Sequence, residues 1–378
     1  MFEMSEEQQL VLETVRRFAR EEVAPRAARV DREHLFPREN LEGARRLGLM
    51  GMPIPERWGG AGYDFLSYML AVEEIAKACA STAVILAVHT SMACFSVLNF
   101  GTPAQKEKYL TQLAGGSLLG AFAITEPEAG SDAGALSMRA VRKGDRYIVN
   151  GTKIFITSAG AADLYVTFVS TDPSRGARGI TALLVEKDTP GFRVGRLEEK
   201  MGLHGSPTGE LIFENAEVPV ENILGEENKG FSLAMSLLEG GRIGIGAQAV
   251  GIATAALETA VAYARQRVQF RQNIASFQGI QFMLADMATA VDAARLLVYR
   301  AASLKDRGQP HGKEASMAKL FATDTAMQVT TNAVQVLGGY GYCREYPVER
   351  YMRDAKVTQI YEGTSQIQRL VIARHLTK

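Results

Sequence analysis

The stretch "DRYIVNGTKIFITS", residues 145–158, indicates the fold class, because apolar and polar residues alternate along it. Further short runs rich in Val, Ile, Phe, Tyr and Thr follow it, each bounded by turn residues: "DLYVTFVSTD" (163–172), "GITALLVEKD" (179–188), "GFRVGRLEEK" (191–200) and "GELIFENAEVPV" (209–220). A period of two at this spacing predicts an antiparallel barrel or sandwich of about 100 residues.

Both sides of this zone have a helical period. From residue 5 to about 117, apolar residues recur three and four apart, and Ser5 is a candidate N-cap of the first helix. After "LGEENKGF" (224–231) the period is again helical, which predicts helices over 229–265, 276–305, 312–337 and 364–376. Strands do not alternate with helices, so a doubly wound parallel sheet is disfavoured. We therefore predict an α+β protein with an N-terminal helical domain (1–117), a middle β domain (118–225) and a C-terminal helical domain (226–378).

Composition excludes several classes of protein. Lys plus Arg and Asp plus Glu both number 42, which argues against a surface for nucleic acid or anionic lipid. Three scattered cysteines form no CxxC pair, and five dispersed histidines have no metal-ligand spacing. We expect no metal site, no disulfide scaffold and a reducing compartment.

The N-terminal segment lacks the apolar core of a signal peptide and is too acidic for a mitochondrial transit peptide. No apolar run is expected to reach the ~18 residues that a membrane span requires. These features predict a cytoplasmic protein without a membrane span.

The hexapeptide "GIGAQA", residues 244–249, matches the dinucleotide-binding pattern G-x-G-x-x-G/A. That pattern requires a preceding strand and an acid about 20 residues later, and this segment has neither. Small residues that let two helices pack closely are the favoured interpretation.

Four segments with polar and aromatic residues stand apart from the helical and strand patterns. "AITEPEAGSDAGAL" (123–136) forms a hydroxyl-rich turn that could hold a phosphate or the polar edge of a flavin, although alone it could be a plain polar loop. The others are "GTKIFITSAG" (151–160), "RVQFRQNIASFQ" (267–278), interpreted as a helix–turn–helix, and "QVLGGYGYCREYPVERYMRDAKVTQIYEGTSQIQ" (335–368).

In this order and at these separations, the four segments resemble the acyl-CoA dehydrogenase family over essentially the whole chain. The resemblance implies a helical domain, a β domain and a C-terminal four-helix bundle, with FAD as cofactor and usually a homotetramer. It also implies removal of two hydrogens from the α and β carbons of an acyl-CoA thioester.

Glu362 resembles the catalytic base of the family in its "YEGT" setting. On the residues alone, Glu362 could equally be a solvated acid that complements a helix dipole. Some family members carry the base directly before the arginine that corresponds to Arg242. In this chain that position is Gly241, which has no acid, so the resemblance leaves Glu362 as the candidate.

The resemblance assigns further residues to the cofactor and to the substrate. We expect Thr125, Ser131, Phe155 (where the family usually has Trp) and Thr157 at the flavin. Other residues resemble contacts to the FAD of a neighbouring subunit, to its adenosine part or to a phosphate at the start of the last helix: Arg267, Phe270, Gln278, Gln335, Gly339, Thr364 and Gln366. The substrate residues are Ser131, Glu239, Arg242, Tyr361 and Gly363, whereas His204, where an arginine is common, receives no catalytic role.

The predicted function is dehydrogenation of acyl-CoA to trans-2-enoyl-CoA in fatty-acid or branched-chain amino-acid catabolism. With no second redox motif in the chain, reduced FAD must pass its electrons to a separate protein, and the resemblance implies that this acceptor is an electron-transferring flavoprotein. The stretch "GRIGIGAQAVGIA" (241–253) resembles short-chain, butyryl-type members. The alternatives are an acyl-CoA oxidase that uses oxygen, and a binding protein without dehydrogenase activity on the same scaffold.

Overall fold

The computed structural model describes residues 4–377 and places a group of helices first, then a sheet, then a second group of helices. This order confirms the predicted α+β class. Residues 1–3 and 378 of the predicted outer domains lie outside the described residues, and the exact domain boundaries stay predictions.

The N-terminal part is helical, as predicted. Ser5 caps the first helix through a capping box with Gln8, in which each side chain accepts from the other's backbone N–H. The helices are α1 (Glu6–Phe18), α2 (Ala24–Arg32), α3 (Arg38–Arg46), α4 (Phe65–Ala78), α5 (Ala80–Val88), α6 (Phe95–Phe100), α7 (Pro103–Gln105) and α8 (Thr111–Ala114). π-Helical turns at Ala19–Val23, His89–Cys94 and Lys106–Leu110 join some of them into longer rods.

The middle part is one hydrogen-bonded sheet of eight strands in the order β6-β7-β3-β2-β4-β5-β8, with β1 also paired to β4. Most neighbours are antiparallel, as predicted, but β1 and β4 are parallel, and β2 meets β4 only at the pair Arg139 and Ser170. The strands are β1 (Gly120–Ala123), β2 (Arg139–Lys143), β3 (Arg146–Thr157), β4 (Leu164–Ser170), β5 (Ile180–Glu186), β6 (Phe192–Leu197), β7 (Thr208–Pro219) and β8 (Ile223–Leu224).

The C-terminal part contains the four predicted helices and a further one. They are α9 (Gly230–Gln266), α10 (Gln278–Asp306), α11 (Gly312–Leu337), α12 (Val348–Thr358) and α13 (Ser365–Leu376). Helix α12 was not predicted, although its apolar and charged residues follow a helical period. The predicted helix–turn–helix at 267–278 is wrong, because this segment forms a short hairpin of β9 (Val268–Gln269) and β10 (Gln272–Asn273).

Helix α9 is 37 residues long and lies at the centre of the helical packing, against α4, α10 and α11. Its glycines allow this close approach. A Cβ at Gly246 would lie 2.9 Å from Val298 on α10, and one at Gly251 would lie 2.3 Å from the Glu73 carbonyl on α4. The "GIGAQA" segment is therefore buried helix, which supports the packing interpretation over a dinucleotide site.

Two helical segments, Ala80–Phe100 and Gly230–Gln266, are long and apolar enough to cross a membrane by length and composition alone. The expectation that no run would reach this length was therefore wrong. Their most apolar windows are 78% and 72% buried inside the structure, as is usual for core helices.

We predict that Gly251→Ala destabilises the protein by ~1–3 kcal/mol, because the added methyl group has no room beside the α4 backbone. Gly279→Ala is the matched control, since Gly279 is also helical and nothing lies within 4 Å of its Cβ position. The control should be neutral or stabilising by ~0.4–1 kcal/mol. Denaturation midpoints measure the stability of both variants. Equal midpoints would show that α9 can accommodate a methyl group where it packs against α4.

Candidate active site

Glu362 lies in the turn between α12 and α13, in the left-handed region with a φ of +51°. This conformation costs a residue with a side chain on the order of 1–3 kcal/mol. The residue is half-buried, and its Oε2 atom is fully buried without a hydrogen-bond partner among residues 4–377. A strained backbone that presents an unpaired carboxylate oxygen is a typical feature of a functional site.

Gly241 on α9 provides the space for this carboxylate. A Cβ at Gly241 would lie 2.2 Å from Oε2 of Glu362 and 2.9 Å from Sδ of Met92. Gly241 is therefore more than a position without an acid, because its missing side chain leaves the space that the Glu362 side chain occupies.

Burial raises the pKa of the Glu362 carboxyl from its ordinary value of 4.5 to about 7. Two cations, Lys319 and Arg242, oppose this rise by favouring the ionised form. A carboxyl that titrates near neutral pH is suited to general-base catalysis.

Two side chains hold the carbonyls of the Glu362 turn. Lys319 on α11 donates from Nζ to the Gly363 carbonyl at 2.8 Å. Gln368 on α13 donates to the same carbonyl at 2.8 Å and to the Glu362 carbonyl at 3.3 Å. The turn is thus fixed from two helices.

Tyr361 is anchored on the other side of Glu362. Its hydroxyl donates to Oε1 of Gln248 on α9, and the amide of Gln248 donates to the Ala80 carbonyl at 3.1 Å. Gln248 follows Gly241 by two helical turns on the same face of α9, so one helix face positions both residues.

The predicted substrate residues lie in three places. Arg242, Tyr361 and Gly363 are gathered around Glu362, and Arg242 is buried with its Nε unpaired among the described residues. Glu239 precedes them on α9, at the edge of the helical part, with His311 Nε2 3.9 Å away. Ser131 is exposed on a middle-domain loop.

The loop and strand of the middle domain offer free polar groups and an aromatic surface. The hydroxyls of Thr125, Ser131 and Thr157 have no hydrogen-bond partner among residues 4–377, and Ser158 has a buried, unpaired Oγ. Phe155 is 60% exposed at a φ of +56°, beside a register shift in β3. Ile156 is buried between Phe155 and Thr157, so these two lie on the open side, as predicted. A flat ring with polar edges, such as a flavin, fits this combination.

A buried ion pair fixes this loop to the sheet. Lys153 Nζ donates to Glu126 Oε1 at 2.7 Å and to the Ile124 carbonyl at 3.1 Å. The other Glu126 oxygen accepts from the backbone of Ser137 and Met138. Thr125 is therefore held between two anchored residues.

A second predicted cofactor group lies at the far end of α9. At a rise of 1.5 Å per residue, the helix carries Arg267 roughly 35 Å away from Arg242. Arg267 stacks on Tyr340, 5.5 Å from the ring centroid, beside a cavity of about 410 Å³ that Tyr263 and Tyr346 also line. The remaining members of this group are exposed: Phe270, Gln278, Gln335 and Gly339. Arg267 therefore lies far from Arg242 and from the Glu362 turn that Arg242 adjoins.

At the start of α13, Thr364 is the N-cap, and its hydroxyl accepts from Ile367 N–H at 3.3 Å, while Gln366 is exposed. The Thr364 hydroxyl thus caps the helix whose start was predicted to contact a phosphate, and that contact stays a prediction.

His204 lies at a junction of all three parts of the chain. Its Nδ1 is 3.0 Å from Asp31 on α2, its Nε2 is 2.8 Å from the Lys200 carbonyl, and its ring stacks on His34. Asp31 also pairs with Arg353 on α12 at 2.7 Å. These contacts are structural, as expected. Among residues 4–377, no group of three or more His, Cys, Asp or Glu side chains is arranged to hold a metal.

Sequence reasoning missed Lys319, Gln368 and Gln248. One signal was present for Lys319, which occupies the apolar stripe of α11 together with Ala315 and Ala322. A lysine on a buried helix face needs a partner, and that requirement could have pointed to the turn.

Family models match three consecutive parts of the chain. They are described as acyl-CoA dehydrogenase, N-terminal domain (residues 5–117), middle domain (121–216) and C-terminal domain (228–377).

Two curated relatives are similar over nearly their whole length. An acyl-CoA dehydrogenase from Bacillus subtilis (strain 168) is 56% identical, over 99% of this chain and 98% of the relative. A short-chain specific acyl-CoA dehydrogenase from Clostridium acetobutylicum is 52% identical, over 98% of each chain.

Solved structures show the same fold. Butyryl-CoA dehydrogenase from Megasphaera elsdenii superposes with a TM-score of 0.98 at 49% identity, over 100% of both chains. A chain in a structure titled for the electron transferring flavoprotein of Acidaminococcus fermentans superposes with a TM-score of 0.99 at 51% identity, again over 100% of both. With three domain models matched in order and relatives above 50% identity, this chain belongs to the acyl-CoA dehydrogenase family of FAD-dependent oxidoreductases.

Proposed function

We propose that this protein oxidises short-chain acyl-CoA thioesters to trans-2-enoyl-CoA, with Glu362 as the base. The observation that carries the proposal is the buried, unpaired carboxylate oxygen of Glu362, seated over Gly241 and titrating near neutral pH. Short acyl chains are proposed because the short-chain specific relative and butyryl-CoA dehydrogenase are both similar along the full chain.

Glu362 takes the α proton of the thioester on its Oε2 atom. The reaction needs a base that is ionised near neutral pH yet strong enough to accept a proton from carbon, and burial provides the higher basicity. Lys319 and Arg242 keep the carboxylate ionised before the transfer. When FAD is bound, it supplies the acceptor for the β hydride.

The residues that would hold FAD in this chain are Thr125, Ser131, Phe155 and Thr157. Their free hydroxyls and exposed ring belong to a loop and to strand β3, which the Glu126–Lys153 pair joins. The preorganised loop would orient the flavin without having to fold around it.

Electrons then pass to an electron-transferring flavoprotein in the cytoplasm. The reaction serves the catabolism of short or branched acyl groups. The structural relative titled for such a flavoprotein supports this acceptor. A series of substrates from butyryl-CoA to palmitoyl-CoA, assayed with that flavoprotein and with oxygen, tests both parts. Reoxidation by oxygen as fast as by the flavoprotein would favour the oxidase alternative, and a preference for palmitoyl-CoA would contradict the short-chain assignment.

We predict that Glu362→Gln lowers the rate of flavin reduction by substrate at least ~100-fold, because general bases contribute ~10²–10⁴-fold. FAD and acyl-CoA should still bind, since size and shape are kept. In the parent, the rate should rise with pH and level off above about 7, as the carboxyl of this pKa deprotonates. Stopped-flow absorbance across the pH range measures both effects.

The control for this substitution is Glu73→Gln. Glu73 is also buried with a raised pKa, but it is paired with Arg295 and Tyr299 away from the turn. This variant should keep the rise in rate near pH 7. If Glu362→Gln still reduced its flavin at the parental rate, another group would have to take the proton.

We further propose a homotetramer in which the far end of α9 completes the cofactor site of another chain. The distance of Arg267 from the Glu362 turn supports this, as does the hairpin at β9 and β10. Phe270 and Arg271 form its tip with φ values of +50° and +66°, and Phe270 is 89% exposed. Two side-chain-bearing residues in this conformation are unfavourable without a contact that repays the strain.

We predict that Phe270→Asp weakens FAD binding by ~10-fold or more, since aromatic anchors typically contribute more than 1 kcal/mol at an interface. Leu10→Asp, which changes an exposed apolar residue on α1, is the control and should bind FAD normally. Fluorescence titration measures the affinity, and sedimentation measures the assembly. A monomer that binds FAD tightly would contradict the shared site.

A further inference from the structure

Lys319 is a buried cation in the apolar face of α11. Its side chain is 0% exposed, and the residues before and after it on this face are alanines. An ammonium has three N–H donors, yet the Gly363 carbonyl, at 2.8 Å, is the acceptor within hydrogen-bond distance among the described residues. A residue kept in such an unfavourable place needs a reason beyond packing.

Burial lowers the pKa of Lys319 to about 8, while Glu362 and Asp324 oppose this change and Arg242 adds to it. Lys319 is therefore mostly protonated at pH 7. The positive charge is present in the range where the Glu362 carboxyl titrates.

Lys319 and Gln368 act on the same carbonyl but differ in charge. Both donate to Gly363, and Gln368 also donates to Glu362. The hydrogen bonds from both side chains fix the left-handed turn. Of these two side chains, only Lys319 also adds a full positive charge near the carboxylate.

We propose that Lys319 is a positioning residue for Glu362: its buried ammonium holds the Glu362–Gly363 turn over Gly241 and supplies a positive charge that favours the carboxylate form. This inference rests on the proposed role of Glu362 as base.

Other groups face Glu362 and must be counted. Arg242 on α9 is a second cation, Tyr361 adjoins it in the chain, and Tyr68 on α4 also interacts with it electrostatically. The tyrosine pKa values are raised by burial, so both phenols stay neutral through the range of interest. Lys319 and Arg242 are then the charges that favour ionisation of Glu362.

The test is a titration of the Glu362 carboxyl by difference infrared spectroscopy, on flavin-free and flavin-loaded protein. The Glu362 band is assigned by its loss in Glu362→Gln. In Lys319→Met, the pKa of Glu362 should rise by ~1 unit, because a nearby opposite charge has been removed. At pH 7 the carboxylate fraction, and with it the rate of flavin reduction, should fall ~5-fold and recover as pH rises.

Gln368→Met is the matched control, because it removes a donor to the same carbonyl without changing the charge. It should leave the midpoint of the titration in place. If Lys319→Met does not fold, Lys319→Gln removes the charge while keeping a polar group, and it should show the same upward shift. An unchanged midpoint in a folded, neutral variant at position 319 would overturn the proposal.

The two proposals fail in different ways. If Glu362 is not the base, Glu362→Gln will reduce flavin at the parental rate, yet the carboxyl titration will still report whether Lys319 acts on Glu362. If Lys319 has only a packing role, the titration will not move, and the Glu362→Gln defect will remain.

Discussion

Close approach along α9 is the constraint on which the rest of the structure depends. Where this helix meets other helices and the Glu362 turn, it comes at three places so near to a neighbour that a methyl group would collide: with α10 at Gly246, with α4 at Gly251, and with the Glu362 side chain at Gly241. The first two contacts set the positions of the surrounding helices. At the third, the missing side chain makes room for a carboxylate, so packing and chemistry both depend on glycines of α9.

Burial of charge is the second recurring feature, and each case has a different compensation. Glu126 and Lys153 form hydrogen bonds with each other and with backbone groups, so the pair fixes a loop. Glu362, in contrast, has an oxygen without a hydrogen-bond partner among residues 4–377, and neither neighbouring cation forms a hydrogen bond with that oxygen. An ion pair whose charged atoms are all hydrogen-bonded is suited to fixing a local structure. A carboxylate with an unpaired oxygen is suited to exchanging a proton.

The fold was largely predictable, because its signals are local. The alternation of apolar and polar residues in 145–158, and the similar short runs that follow it, predicted the sheet. The helical period predicted α9, α10, α11 and α13. The parallel pairing of β1 with β4 was not predictable, since it depends on contacts far apart in the chain. The hairpin at Phe270 was also missed, because its turn residues are not the glycine and asparagine that usually mark such turns.

For the site, the motifs around Thr125 and Glu362 were recognisable by resemblance, while the residues that hold them were not. Lys319 and Gln248 reach the Glu362 segment from other helices, and no spacing in the sequence records that convergence. The resemblance also could not say which residues meet within one chain. The structure answers this for Arg242, Tyr361 and Gly363, which lie around Glu362, and it places Arg267 far from them.

The contact between Gly241 and Glu362 has a consequence for how such enzymes can diverge. Since the two positions share one space, an acid at either one requires a small residue at the other. A lineage that moves its base from the turn before α13 to α9 cannot pass through a form that carries both acids in the present geometry. It must first lose the carboxylate, or shift the turn, before the second site can accept one. Positions 241 and 362 must therefore change together when the base moves. The role of the residue at one position can be interpreted only with the residue at the other.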